Sequence, residues 1–171
     1  MQNKKCFTIL PRPRGISLIT TTYIDTSRGE KKVTTRPHSG YILFVNGSSV
    51  NWMIKKQQTE ETSAFSSEFI DLKQCIEDIK NLRFKLRFFG IPLSEDQPTT
   101  LILFDNESLC KNTSNVESSL NNKYSAIAYH FARWNVAAEV CIIAWVTTGK
   151  NLAYTITKIL SVVVQDHLFG S

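Results

Sequence analysis

The sequence lacks any long apolar run. Its longest apolar stretches are strand-sized and interrupted, well short of the roughly 20 residues a membrane-spanning helix requires, so no membrane span is expected. It also lacks a secretory leader: Met1-Gln2-Asn3-Lys4-Lys5-Cys6-Phe7-Thr8-Ile9-Leu10 is basic, but only a short stretch of mixed apolar character precedes Pro11. That pattern has no signal-peptide core and predicts an intracellular address. Cysteine is sparse. Cys6, Cys75, Cys110 and Cys141 are far apart, which excludes a zinc knuckle or a paired redox motif and leaves reduced, mostly buried thiols as the expectation. No Ser or Cys lies in a recognisable nucleophile setting, so covalent catalysis is not indicated. Acidic excess is absent too: the net charge is +5, which permits a polyanionic partner without demanding one.

What is present is core material. The 171 residues are 42% hydrophobic and 20% charged, enough for one soluble globular domain. Pro11-Arg12-Pro13-Arg14-Gly15 cannot enter a helix or a central strand, so residues 1–15 read as an extended arm or linker remnant, 16–164 as the domain and 165–171 as a C-terminal tail. Ile16 to Ile24 has strand propensity and ends at Asp25 before a turn. A basic loop with Lys31, Lys32 and Arg36 leads to Gly40–Val45, then Asn46-Gly47, a strong hairpin signal, and a returning strand over Ser48–Lys55. From Ser63, a plausible N-cap, the period becomes helical: Phe65, Phe69, Leu72, Ile76, Ile79 and Leu82 form one stripe that Gly90-Ile91-Pro92 ends. Glu68 shares that stripe, either as a core-facing acid or as an edge residue paired with a Lys.

Leu101 to Phe104 reads as a strand buried on both faces, ending in Asp105-Asn106. A carboxylate there either caps the helix that follows or faces a crevice and holds a metal. Glu107 to Cys110 suits a short helix, with polar loops around it. Tyr124 to Ala138 is helical, with Ile127, Phe131, Trp134 and Ala138 as its stripe; Val140 to Val146 is a fifth strand; a last helix carries Leu152, Ile156, Ile159, Leu160 and Val163. This order predicts an α/β fold with a mixed sheet flanked by helices. If the strands ending in Asp25 and Asp105 are neighbours and the first helix crosses them, Glu68 joins a cluster of three carboxylates. At about 4 Å each pair would repel by about 4 kcal/mol at an effective dielectric near 20, so hard divalent cations are the natural partners, as in two-metal phosphodiester hydrolysis.

These residues also carry a resemblance. Tyr23-Ile24-Asp25-Thr26-Ser27, Ser39-Gly40-Tyr41 with Val50-Asn51-Trp52, Lys55-Lys56-Gln57-Gln58-Thr59, Ser66-Ser67-Glu68-Phe69, Phe104-Asp105-Asn106-Glu107-Ser108, Tyr129-His130-Phe131-Ala132-Arg133 and Asn151-Leu152-Ala153 with Thr157-Lys158 run in the order of the ribonuclease H domain at the end of a copia-type retrotransposon polyprotein. The chain resembles that family from about Gly15 to Leu160. The resemblance implies a ribonuclease H-like, mixed five-stranded sheet and a magnesium- or manganese-dependent site that cleaves the RNA strand of RNA–DNA hybrids. Asp25, Glu68 and Asp105 stand at three of its four catalytic acids; Lys55, Lys56, Asn106, Lys123 and Arg133 are candidate nucleic-acid contacts. The fourth acid departs from the pattern. The residue after Leu152-Ala153 is Tyr154, a neutral phenol and a poor magnesium ligand. Tyr124 in place of a common His and Phe104 in place of a common Cys are lesser departures. The expectation is therefore a degenerate copy in which cleavage is weakened or lost. The alternative is a non-catalytic structural or interaction subunit of a larger protein assembly, and a nonspecific nucleic-acid binder is a weaker third reading.

Overall fold

The computed structural model describes residues 18–26, 38–56, 64–95, 98–114 and 126–157. The arm, the C-terminal tail, the Ser63 cap and the last helix beyond Thr157 lie outside the described residues. Strands β1 (Thr20–Thr26), β2 (His38–Val45), β3 (Ser48–Lys56), β4 (Thr100–Phe104) and β5 (Cys141–Trp145) make one sheet in the order β3-β2-β1-β4-β5. The first three pair antiparallel, and β4 and β5 run parallel to β1. The sheet is thus mixed and five-stranded, with helices α1 (Ala64–Phe88), α2 (Glu107–Ser114), α3 (Ala126–Ala137) and the short α4 (Tyr154–Thr157) around it.

Local chemistry accounts for the corners. Asn46 and Gly47 both take positive φ, 50° and 78°, as a two-residue hairpin whose turn matches the strand twist requires. Helix α1 ends in a Schellman motif: Gly90, at φ 70°, donates its N–H to the Arg87 carbonyl while Ile91 donates to Leu86, so two terminal carbonyls are satisfied. Helix α2 runs on to Ser114, past the point where the polar run Lys111–Asn115 suggested a loop. Thr113 explains part of this, because its hydroxyl folds back onto the carbonyls of Leu109 and Cys110 and the residue is buried.

The core lies between the sheet and α1, α2 and α3. Ile24, Tyr41, Leu43, Ile102, Phe104 and Ile143 from the sheet meet Phe69, Leu72, Ile76 and Ile79 from α1, with Leu109, Ala128, Tyr129 and Ala132 behind them. The stripe expected on α1 is therefore the packed one. On α3 it is not: Ile127 and Trp134 are exposed, and Ala128, Tyr129, Ala132 and Asn135 face inward. Two alanines let α3 approach closely, and a period read from the largest residues missed them. In β4, Thr100, Ile102 and Phe104 are buried while Leu101 and Leu103, on the opposite face, are only half-buried; the short α4 covers β1 and β2 on that face.

That cover is seated on Gly40. A Cβ at this position would lie 3.0 Å from Ile156 Cδ1, Thr157 Cγ2 and the Met53 carbonyl oxygen, so glycine sets how near α4 can come. Gly40→Ala should cost about 1–3 kcal/mol, read as a lower urea midpoint, and an unchanged midpoint would mean that α4 does not rest there. Three thiols, Cys75, Cys110 and Cys141, are free and buried. Burial pushes Cys75 well up, Cys110 to about 11 and Cys141 to about 12. Raised thiol pKa values give stability that is complete below the unfolded value and is lost as pH climbs toward the folded one. Stability should thus decline as pH rises above 9, with Cys110 contributing to that decline up to about pH 11. Urea titrations of the protein and of Cys110→Ala check this: the variant should show a shallower decline.

Candidate active site

β1 and β4 are adjacent and parallel, with Ile24 in register with Phe104. Asp25 and Asp105 are the residues after this registered pair, on strands about 4.8 Å apart, so the strand pairing brings the two acids to the same end of the sheet. Asp25 does not terminate its strand as expected. It pairs with Gly40 inside β1, because the antiparallel partnership with β2 continues to Thr26. It is 2% exposed, and alternation along β1 turns it to the face opposite Ile24, where Thr157 of α4 donates its hydroxyl to Asp25 Oδ2.

Glu68 belongs to the inward face of α1, at 5% exposed. Its Oε2 accepts from the Asn106 amide, which ties the helix to the residue beside Asp105. Asn106 also caps α2: its Oδ1 accepts from Leu109 N at 3.2 Å. The capping role that could have fallen to Asp105 is thus filled by its neighbour, as an N-cap carbonyl suits. Asp105 is half-buried, and its Oδ2 lies 3.3 Å from the Thr148 hydroxyl, which donates to it. Tyr154 opens α4, one turn before Thr157, so the two share a helix face.

The structure separates the proposed hybrid contacts. Lys55 is exposed on the edge strand β3. Both ends of the Asn106 amide are engaged within the protein, and Arg133 donates to the Tyr129 hydroxyl at 2.8 Å and stacks on its ring. Lys123 and the side chain of Lys56 lie outside the described residues. Two residues at this end escaped the sequence reading. Asp71, one turn after Glu68, is buried and accepts from the Thr26 hydroxyl at 3.0 Å; the Glu-x-x-Asp spacing on one face was its signal. Asn151, fully buried, donates to the Ile24 carbonyl at 2.7 Å and accepts from Ala153 N at 3.1 Å; it belongs to a stretch that carries the resemblance, but nothing in the linear pattern marks this role.

The donor set does not fit a pair of divalent cations. Thr157, Asn106 and Thr148 each place a neutral donor on an acid, and the fourth position is a phenol. Among the described residues, no three Asp, Glu, His or Cys side chains are grouped so as to hold a metal ion. Hydroxyl and amide donors can satisfy carboxylates without a cation.

No family model matches the chain. Sequence comparison relates it to the retrovirus-related Pol polyproteins of transposons RE2 and RE1 from Arabidopsis thaliana, each 28% identical over 123 residues, or 72% of this chain. The matched segment spans only 8% of those polyproteins. Among solved structures, the N-terminal RNase H domain of a Mycobacterium tuberculosis protein matches 90% of this chain and 97% of its own, at TM-score 0.57 and 15% identity. RNase H1 of Halobacterium salinarum matches 77% and 88%, at 0.52 and 16%. LC11-RNase H1, solved in complex with an RNA/DNA hybrid, matches 80% and 89%, at 0.53 and 15%. The chain thus has a ribonuclease H-like fold and is similar in sequence to a segment of retrotransposon Pol polyproteins.

Proposed function

We propose that this domain descends from a ribonuclease H that cleaved the RNA strand of RNA–DNA hybrids, and that its own cleavage is weakened or lost. The observation that carries the reading is Tyr154. It stands at the family's fourth acidic position, at the start of α4 and one turn from the hydroxyl that satisfies Asp25. A neutral phenol removes a quarter of the site's charge. Losing even an outer partner of a metal ligand costs about 10- to 100-fold in affinity or activity, and an inner ligand should cost at least as much.

The remaining acids are consistent with a fold that has outlived its chemistry. Asp25, Glu68 and Asp105 are each met by a neutral donor, and a site with three acids carries less repulsion in the metal-free protein than one with four would. Hybrid binding is a separable property. It comes to this chain from the likeness to LC11-RNase H1 and rests on phosphate contacts, of which Lys55 is an exposed candidate. The alternative, a non-catalytic subunit of a larger assembly, is favoured by the same lost acid and predicts no cleavage under any metal.

The test is cleavage of an end-labelled RNA strand in an RNA–DNA hybrid, with magnesium or manganese, beside an intact ribonuclease H. Turnover should be at least about 100-fold slower, and comparable turnover would sink the proposal. Tyr154→Asp should raise cleavage at least about 10-fold and, in chelator, should lower the unfolding midpoint by about 1 kcal/mol or more through added like charge. A variant that is destabilised but gains no cleavage would favour the non-catalytic reading.

A further inference from the structure

The outer surface of α1 carries a ridge that the acidic end does not use. Lys73, Lys80, Phe84, Arg87 and Phe88, with Glu77 between the two lysines, follow one another at three- and four-residue helical spacing and so lie on one face over about 22 Å of helix. α3 continues this ridge sideways: Lys80 Nζ sits 5.2 Å from the Trp134 ring centre and 5.5 Å from that of Phe131, with Lys73 Nζ 5.7 Å from Phe131. The rings are open to solvent, Phe84 at 71%, Phe88 at 75% and Trp134 at 61% exposed. Glu77, the carboxylate on this face, is paired with Lys73 at 2.9 Å. Lys80 and Arg87 are left as excess positive charge.

Rings interleaved with cations at every turn differ from an apolar patch with a charged rim, which is the usual anatomy of a protein interface. They match the way unpaired strands are held, with bases stacked on aromatic side chains and phosphates met by a basic track. A second copy of this chain is disfavoured, because it would bring the same excess cations face to face. We infer that this ridge is a nucleic-acid surface that takes an unpaired strand, stacking bases on Trp134, Phe84 and Phe88 and holding phosphates with Lys80 and Arg87. Phe88 lies 20 residues beyond Glu68 on α1, about 30 Å along the helix, so the ridge acts independently of whether the acidic end cleaves.

Fluorescence anisotropy with a labelled oligothymidylate of about 12 nucleotides, within the range one such surface covers, tests the assignment on the full chain. Trp134→Ala should weaken binding by about 5- to 150-fold, and Phe84→Ser with Phe88→Ser by a similar factor. Lys80→Gln with Arg87→Gln should reduce the dependence of log affinity on log salt by about 1.4, two phosphates' worth. Circular dichroism confirms that these surface variants fold, and their hybrid binding should remain. Three results would overturn the assignment: no binding of the oligonucleotide, equal binding by the protein and the ridge variants, or a concentration-dependent self-association that the ridge variants abolish.

Discussion

The hydrogen bond from Asn151 Nδ2 to the carbonyl of Ile24, 2.7 Å long and spanning 127 residues, is the contact on which the acidic end depends. It joins the approach to α4 to the strand at the residue before Asp25. Asn151 is fully buried, so its amide has no water to turn to, and leaving such a group unsatisfied costs about 1–3 kcal/mol. With Asn151 fixed, its Oδ1 receives Ala153 N and α4 begins at Tyr154. The first turn of that helix then places Thr157 on Asp25. Gly40 allows the approach from below, and the pairing of β1 with β4 fixes the distance to Asp105. One buried amide, one glycine and one parallel strand pair therefore determine what surrounds the acids.

A second polar layer lies deeper and shows how the sheet is kept in register. Thr20 and Thr100, on neighbouring strands, share a hydroxyl hydrogen bond of 2.7 Å inside the core. Thr100 is in turn opposite Cys141, and Thr22 is buried on the same face of β1. Beside this layer Arg83 reaches from α1 to the carbonyls of Pro98 and Val140, and its burial lowers its pKa. A slip of one residue in β4 would place these hydroxyls against the thinly covered face and the apolar Leu101 and Leu103 in their stead. The layer thus fixes the same β1–β4 register that aligns Asp25 with Asp105.

How far the sequence reveals this depends on the range of the interaction concerned. The hairpin at Asn46-Gly47, the end of α1 at Gly90 and the place of Glu68 on the apolar stripe are legible because they rest on local backbone geometry or on a period within one element; the period leaves open whether Glu68 is buried. The α3 stripe is misread because periodicity weighted by size favours Ile127 and Trp134, whereas close helix packing selects Ala128 and Ala132. Asp105 and Asn106 show the limit most clearly. Both can cap a helix, and only the position of Glu68, 38 residues earlier, explains why the amide serves two partners while the acid turns to Thr148. Asn151 is invisible for the same reason: its partner is a backbone carbonyl at the far end of the chain.

The acids at this end illustrate how carboxylates can be held by the protein itself. A site of four carboxylates is held together by its cations, and in their absence each pair repels. Here Thr157, Asn106 and Thr148 supply donors that carry no charge. Each donor sits on a different element, so α4, the α2 cap and the turn after β5 are all fastened to the acids by protein contacts alone. The resulting arrangement is self-sufficient. On the proposed descent, Tyr154→Asp restores a charge while leaving those donors in place, so the size of its gain depends on how readily the acids exchange hydroxyl and amide partners for a cation. The contacts that hold this end without metal therefore compete with any cation for the same carboxylate oxygens.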